Sequence, residues 1–192
     1  MFWQMPRHRT IHRPRASLGF TLVELLTGVT VMAVLASVTV PFVTTMIDSI
    51  KLTSLANGFM AHLHLARNEA IKRNTRVVLC KSATGDSCAA TGGWEQGWIV
   101  FQDSNDNGVV DAGEAIIERM QALPASFRLV GNQNVAKYVS FDPSGATKLV
   151  SGAFQAGTLT LCRLPGATEG RQIILNSVGR PRMQKAAAGS CL

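Results

Sequence analysis

The chain is 192 residues long, 46% hydrophobic and 16% charged, with a formal net charge of +7 and a mean hydropathy of +0.16. That length accommodates one soluble domain and an apolar segment but not two large domains, and the plentiful aliphatic residues exclude both a disordered polyelectrolyte and a coiled coil. Arg7, Arg9, Arg13 and Arg15 precede Gly19 with no acidic residue among them, so the remainder carries 15 basic against 12 acidic residues.

Residues 20–43 carry a single charge, Glu24, and as a helix they would span about 36 Å, enough for a bilayer core. A transmembrane segment is predicted there. It is longer than the apolar stretch of a secretory signal and no small-residue cleavage site follows it, so it is expected to stay on the mature protein. The arginines in front place the N-terminus in the cytoplasm and the domain after Val43 across the membrane. A carboxylate in such a run costs about 2.5–3.5 kcal/mol at helix centre, so Glu24 requires a cationic partner. Pro41 is expected to kink or locally melt the helix. Beyond it, Leu52, Leu55, Phe59, Leu63, Ala66 and Ala70 recur at spacings of three and four, which predicts an amphipathic helix to about Asn74. Glu69 and Arg73 support its exposed side at i,i+4. His62 and His64, two apart, face different ways and make no metal pair.

After Asn74 the period becomes that of strands. Residues 76–81, 97–102, 115–121, 126–130, 137–141, 158–163 and 171–178 are β-branched or alternating runs separated by Gly, Pro, Asn and Asp, which predicts an antiparallel β domain. Charge is segregated along it. Residues 81–118 hold one basic and seven acidic residues, whereas 119–192 hold nine basic and two acidic ones, a pattern that points to a polyanionic partner for the later half. No G-x-S-x-G, H-E-x-x-H or phosphate loop occurs, so no enzymatic activity is expected. Asp103, Asn105, Asn107, Asp111 and Glu114, with Gly108 at the sixth position, fit the letters of a twelve-position calcium loop. Strand-like residues flank it instead of helices, and an ordinary Asx-rich turn accounts for the same letters; no other cofactor is expected.

The run Gly19-Phe20-Thr21-Leu22-Val23-Glu24 resembles the prepilin processing motif of type IV pilins and type II secretion pseudopilins. The resemblance implies that a prepilin peptidase cuts after Gly19 and methylates Phe20, and that Glu24 pairs with the N-terminal amine of a neighbouring subunit in a filament. The layout of helix, Cys-containing strand, GWIVFQD, aspartate-rich turn, VSFDPSGA and GRPR is similar to the GspH/FimT branch of minor pilins. The closing Asn176-Ser177-Val178-Gly179-Arg180-Pro181-Arg182 with Cys191 is most similar to FimT members. What this implies is an α+β type IV pilin fold: a leader at 1–19 that is removed, a transmembrane and filament-core half-helix at 20–47, and a soluble domain at 48–192 with a small two-sheet antiparallel β region. It further implies an inner-membrane protein with a periplasmic domain, assembled with other pilins into a surface pilus. Cys80, Cys88, Cys162 and Cys191 all lie beyond the membrane segment, in an oxidising compartment. Of three possible connectivities, Cys80 with Cys88 and Cys162 with Cys191 is favoured, because the first closes a short loop and the second ties down a tail.

FimT members of naturally competent bacteria are implicated in DNA uptake through a GRxR element, which falls on Arg180 and Arg182. In an extended segment these two point to one side about 6.6 Å apart. Lys185 and Arg171 are expected to join them, and Gly179 to let the backbone approach a phosphate. Three phosphates neutralised would give a salt slope of about −2.7 on duplex DNA, with no sequence preference. The alternatives are a purely structural minor pilin and a type II secretion pseudopilin, neither of which needs a basic C-terminal face.

Overall fold

A 52-residue helix, α1 (Leu22–Arg73), leads the chain into the β region. The computed structural model describes residues 19–165, 169–187 and 190, and at 38, 40–42 and 45 the backbone only. The arginine-bearing leader and Cys191 lie outside the described residues. Two compact units divide at Thr44 and Thr45, the first holding the early part of α1 and the second the rest of the chain.

Thr21 caps the helix: its Oγ1 accepts the N–H of Glu24 at 3.2 Å, the S/T-x-x-E arrangement that satisfies an orphan donor of the first turn. The helix runs through Pro41 without interruption, which corrects the expected local melting. Proline removes one N–H and its bond, and the helix on both sides carries the rest of the ladder. The other end closes on Asn74, whose φ of 51° is left-handed, with the Thr75 N–H reaching back to the Ala70 carbonyl.

Among the described residues eight strands follow: β1 (Arg76–Lys81), β2 (Trp98–Asp103), β3 (Ile116–Met120), β4 (Phe127–Gly131), β5 (Tyr138–Phe141), β6 (Gly157–Arg163), β7 (Gly170–Leu175) and β8 (Pro181–Lys185). They form two antiparallel four-stranded sheets, ordered β3-β2-β1-β5 and β4-β6-β7-β8. Both pack on α1 in one core, where Leu52, Ala56, Phe59, Leu63, Ala66 and Ala70 meet Val77, Leu79 and Val100 of the first sheet and Leu129, Leu159, Leu161 and Ile173 of the second. Ala56 takes the buried place expected of Leu55, which is only partly covered. Phe59 anchors the contact by setting its ring edge-on to Trp94 and Trp98, at centroid distances of 5.3 and 4.9 Å.

The outer faces of the two sheets differ. In the first sheet all six β1 residues are buried, because Val78, Cys80, Ile99 and Phe101 form a second apolar cluster roofed by Cys88, Val110, Ile116 and Tyr138 from loops and edges. The Cys80–Cys88 disulfide closes that roof. The partner expected for Cys162, Cys191, lies outside the described residues. Over the second sheet no comparable cluster forms among the described residues: Arg128, Val130, Arg182 and Gln184 are exposed, and Thr158, Thr160, Gln172 and Ile174 are only half-buried.

Candidate nucleic-acid interface

Strand alternation sorts the basic residues of the second sheet. In β7, Arg171, Ile173 and Leu175 are buried and Gln172 and Ile174 are not, and the register sets Arg171 opposite Lys185, Ile173 opposite Met183 and Ile174 opposite Arg182. Arg182 and Gln184 therefore face outward, with Gln184 Nε2 donating to Gln172 Oε1 at 3.1 Å, while Lys185 shares the parity of the core-facing Met183. Arg128 of β4, opposite Cys162, stands on the same outer face as Arg182. Three strand spacings of about 4.8 Å put these two edges about 14 Å apart.

The residues expected at the site separate accordingly. Arg180 and Arg182 are both exposed, but the strand begins at Pro181, so Arg180 belongs to the preceding turn instead of sharing one strand face with Arg182. Its backbone N–H is held by Asn176 Oδ1 at 2.9 Å. Lys185 is exposed on the opposite parity and stands apart from the pair. Arg171 is a correction. It is only 7% exposed, with Nε and Nη2 donating to Thr53 Oγ1, Nη2 also to Ser49 Oγ, and Nη1 to the Gly170 carbonyl. With four of its five N–H groups so used, this buried guanidinium fastens the sheet to α1 and is not part of an open binding face. Gly179 is a second correction. It is buried at φ 74°, and a β-carbon there would stand 2.0 Å from the Gly145 carbonyl oxygen. Its freedom serves a close approach to the 142–146 turn, not to a ligand.

Ion pairs thin the basic half further. Arg119 pairs with Asp86, Lys148 with Asp142 and Arg163 with Asp48, whereas Arg67, Arg128, Arg180, Arg182 and Lys185 take part in no ion pair among the described residues. The turn carrying Arg180 is set against the rest of the domain by Thr147, whose N–H donates to the Ser177 carbonyl and whose Oγ1 donates to the Asn176 carbonyl. Asp142 organises the neighbouring turn. Burial alone would raise its pKa, but hydrogen bonds from the Ser144 hydroxyl, the Lys148 ammonium and the Ala146 and Ser144 N–H groups outweigh it and hold the carboxyl below its ordinary value. A depressed carboxylate contributes stability at neutral pH that is lost as pH falls through its lowered pKa.

Where these two turns meet α1 they leave a cleft of about 470 Å3 lined by Arg67, Ser144, Ala146, Asn176, Val178 and Arg180. Arg67 was invisible as a site residue in the sequence. It sits on the face of a charged amphipathic helix, and only the fold brings it to Arg180.

At the other end of the chain, the large apolar side chains from Phe20 to Leu35 are 58–82% exposed. A surface of that kind requires a cover of lipid or other chains. Among the described residues no helix is long and apolar enough to cross a membrane; the expected span at 20–43 includes residues 38 and 40–42, whose side chains fall outside that set. Glu24 is exposed in the first turn of α1, where a carboxylate also meets the positive end of the helix dipole.

The loop between β2 and β3 uses its oxygens on itself. Asp103 accepts the N–H groups of Asn107 and Gly108, Asp111 accepts both Asn105 and Asn107 amides, and Glu114 accepts the N–H groups of Ser104 and Asp111. Asn105 and Asn107 accept the N–H groups of Asn107 and Val109. Burial raises the pKa of Asp103, and the amides of Asn105 and Asn107 lower that of Asp111. Among the described residues no group of three or more His, Cys, Asp or Glu side chains is placed to hold a metal ion. These bonds account for the loop as an Asx-rich turn; millimolar calcium is expected to leave the melting temperature unchanged in differential scanning fluorimetry, and a rise of several degrees would establish a calcium site.

Comparison with known proteins bears on both ends of the chain. Residues 55–179 match the family model described as type II transport protein GspH, and residues 14–40 match the prokaryotic N-terminal methylation motif. No curated protein matches the chain in sequence. Among solved structures, the fold is similar to that of the type IV minor pilin FimU of Pseudomonas aeruginosa in two crystal forms. The first is 18% identical, covering 73% of this chain and 96% of that one with a TM-score of 0.54; the second is 19% identical, covering 71% and 98% with a TM-score of 0.52. The minor pseudopilin EpsH of the Vibrio cholerae type II secretion system is also similar, at 14% identity over 69% of this chain and 95% of that one, with a TM-score of 0.47.

Proposed function

Because the chain belongs to the GspH family of minor pilins and pseudopilins, we infer that it is a FimT-like minor pilin that binds DNA without sequence preference and supports its uptake. The observation that carries this reading is the asymmetry of the two sheets. The first is roofed over by the acidic loops, whereas the second leaves open a face on which Arg128 and Arg182 meet uncharged Thr158, Thr160, Gln172 and Gln184, with Arg180 at its margin. Guanidinium groups free of ion pairs neutralise phosphates and release counterions. Non-specific duplex binding by the full chain in detergent, weakening steeply with salt, tests it; an absence of binding at low salt overturns it.

The N-terminal half supports a membrane-anchored precursor that joins a filament. The exposed apolar run is covered first by the inner membrane, with the β domain in the periplasm, and afterwards by the helices of other pilins. A prepilin peptidase is the expected processing partner. Mass spectrometry of the mature protein is expected to show cleavage after Gly19 and an N-methylated Phe20; retention of Met1 would refute it. Glu24 has no partner for its carboxylate among the described residues, and the amine of a neighbouring subunit supplies one. Glu24→Ala is therefore expected to reduce incorporation into pili at least tenfold, about the cost of one unpaired ionic contact, while circular dichroism of the β domain is unchanged. Incorporation at the wild-type level would remove that role.

The description of the matched family as a type II transport protein favours a second reading, a pseudopilin without DNA binding. A secretion defect in a deletion strain, with no DNA binding by the purified chain, would select it.

A further inference from the structure

Arg67 projects from α1 onto the turn at 142–146. Its Nε is shielded from solvent and has no hydrogen-bond partner, and it lies so near Gly145 that a β-carbon there would stand 2.8 Å away. A guanidinium held in this way carries its charge without an anion. The cleft it lines is lined also by a second arginine, Arg180, and by Ser144 and Asn176, and no Asp or Glu is among the lining residues. The acidic residue of the same turn, Asp142, is spent on Ser144, Ala146 and Lys148.

We propose that this cleft is a phosphate pocket in which Arg67 and Arg180 clasp one phosphodiester of a DNA strand, so that the helix contributes to an interface otherwise made by the second sheet and its turns. The assignment of the phosphate to DNA rests on the reading given under the proposed function. Two guanidinium planes converging on one tetrahedral anion offer paired N–H donors to several of its oxygens, a geometry that a lysine ammonium does not reproduce. Gly145 and Gly179 let the helix and the two turns approach closely: a β-carbon at Gly145 would press on Arg67 and Ile71, and one at Gly179 on the Gly145 carbonyl. The pocket fixes one phosphate in register, and the outer face with Arg182 takes the charge of its neighbours.

The test compares full-length wild type, Arg67→Gln and Arg180→Ala with Arg182→Ala, each in detergent, by fluorescence anisotropy of a short duplex across a salt series. Arg67→Gln is expected to weaken binding about tenfold and to flatten the salt slope by less than the roughly 0.9 of a whole phosphate, because Arg180 still contacts it, with an unchanged melting temperature. Inorganic phosphate is the second probe and needs no variant. Millimolar phosphate is expected to shift the Arg67 Nε–H resonance of the wild type in 15N-edited NMR, and sulfate at equal ionic strength to do so as a tetrahedral mimic, whereas chloride does not. Wild-type affinity and slope in Arg67→Gln, while the double arginine variant loses binding, would overturn the pocket and leave the DNA reading standing. Failure of the wild type to bind duplex at low salt would overturn the DNA reading and the phosphodiester assignment together, and an unmoved Nε–H resonance in phosphate would overturn the pocket itself.

Discussion

Replacing Arg180 and Arg182 together by alanine is expected to lower duplex affinity about a hundredfold and to make the dependence of log K on log salt shallower by about 1.8. Both figures follow from two lost charge-assisted phosphate contacts, each contributing about 1.5 kcal/mol and releasing about 0.9 of a counterion. The fold should survive, because both side chains are exposed and neither takes part in an ion pair among the described residues. The backbone bond from Arg180 N–H to Asn176 is kept in the variant. Lys185→Ala is the internal comparison: on the opposite strand parity from Arg182, it is expected to change affinity less than threefold. An equal loss in the Lys185 variant would mean that the binding face is not the outer face of the second sheet. In a competent host the double variant is expected to lower transformation while pili persist.

Gly179→Ala is expected to have the opposite profile, a large loss of stability with no charge removed. The added β-carbon would stand 2.0 Å from the Gly145 carbonyl oxygen, and the φ of 74° is one that alanine adopts at a cost. Left-handed backbone costs about 1–2 kcal/mol and relief of the clash at least as much again, so a destabilisation of about 3 kcal/mol or more is expected. For a domain of this size that corresponds to a fall in melting temperature of about 6–12 °C. Thermal unfolding monitored by circular dichroism measures it directly. A melting temperature within a degree of wild type would show that the 142–146 and 176–179 turns do not stack as described.

The helix was legible in the sequence because the burial of the stripe from Leu52 to Ala70 is periodic, and β1 because 76–81 is a short β-branched and aliphatic run, buried on both faces. β8 was not legible as a strand: of Pro181-Arg-Met-Gln-Lys185 only Met183 packs against the core, and an edge strand open on one face carries little apolar signal. The same limit explains Arg171. A basic residue in a polar-to-apolar strand reads as solvated, and what buries it, Thr53 and Ser49, lies 118 and 122 residues away in the chain. Gly179 was expected to allow a close approach, but to a phosphate and not to the Gly145 carbonyl, which tertiary packing brings to it. The motif points to Arg180 and Arg182, which are exposed, whereas nothing in the sequence links Arg67 to them, because that depends on which turn the helix passes beneath.

The bonds by which Arg171 ties β7 to Ser49 and Thr53, with the Arg163–Asp48 pair alongside and Arg73 reaching Gln102 at the far end of the helix, have a mechanical meaning. These fastenings lie along α1 and run across it into strands of both sheets. A pull on the helix, of the kind a subunit in a filament under tension would feel, loads them in shear and in parallel instead of peeling them one after another. A buried arginine with several donors keeps part of its grip when any single bond opens, so the domain and its helix would yield together at high force instead of coming apart piecemeal.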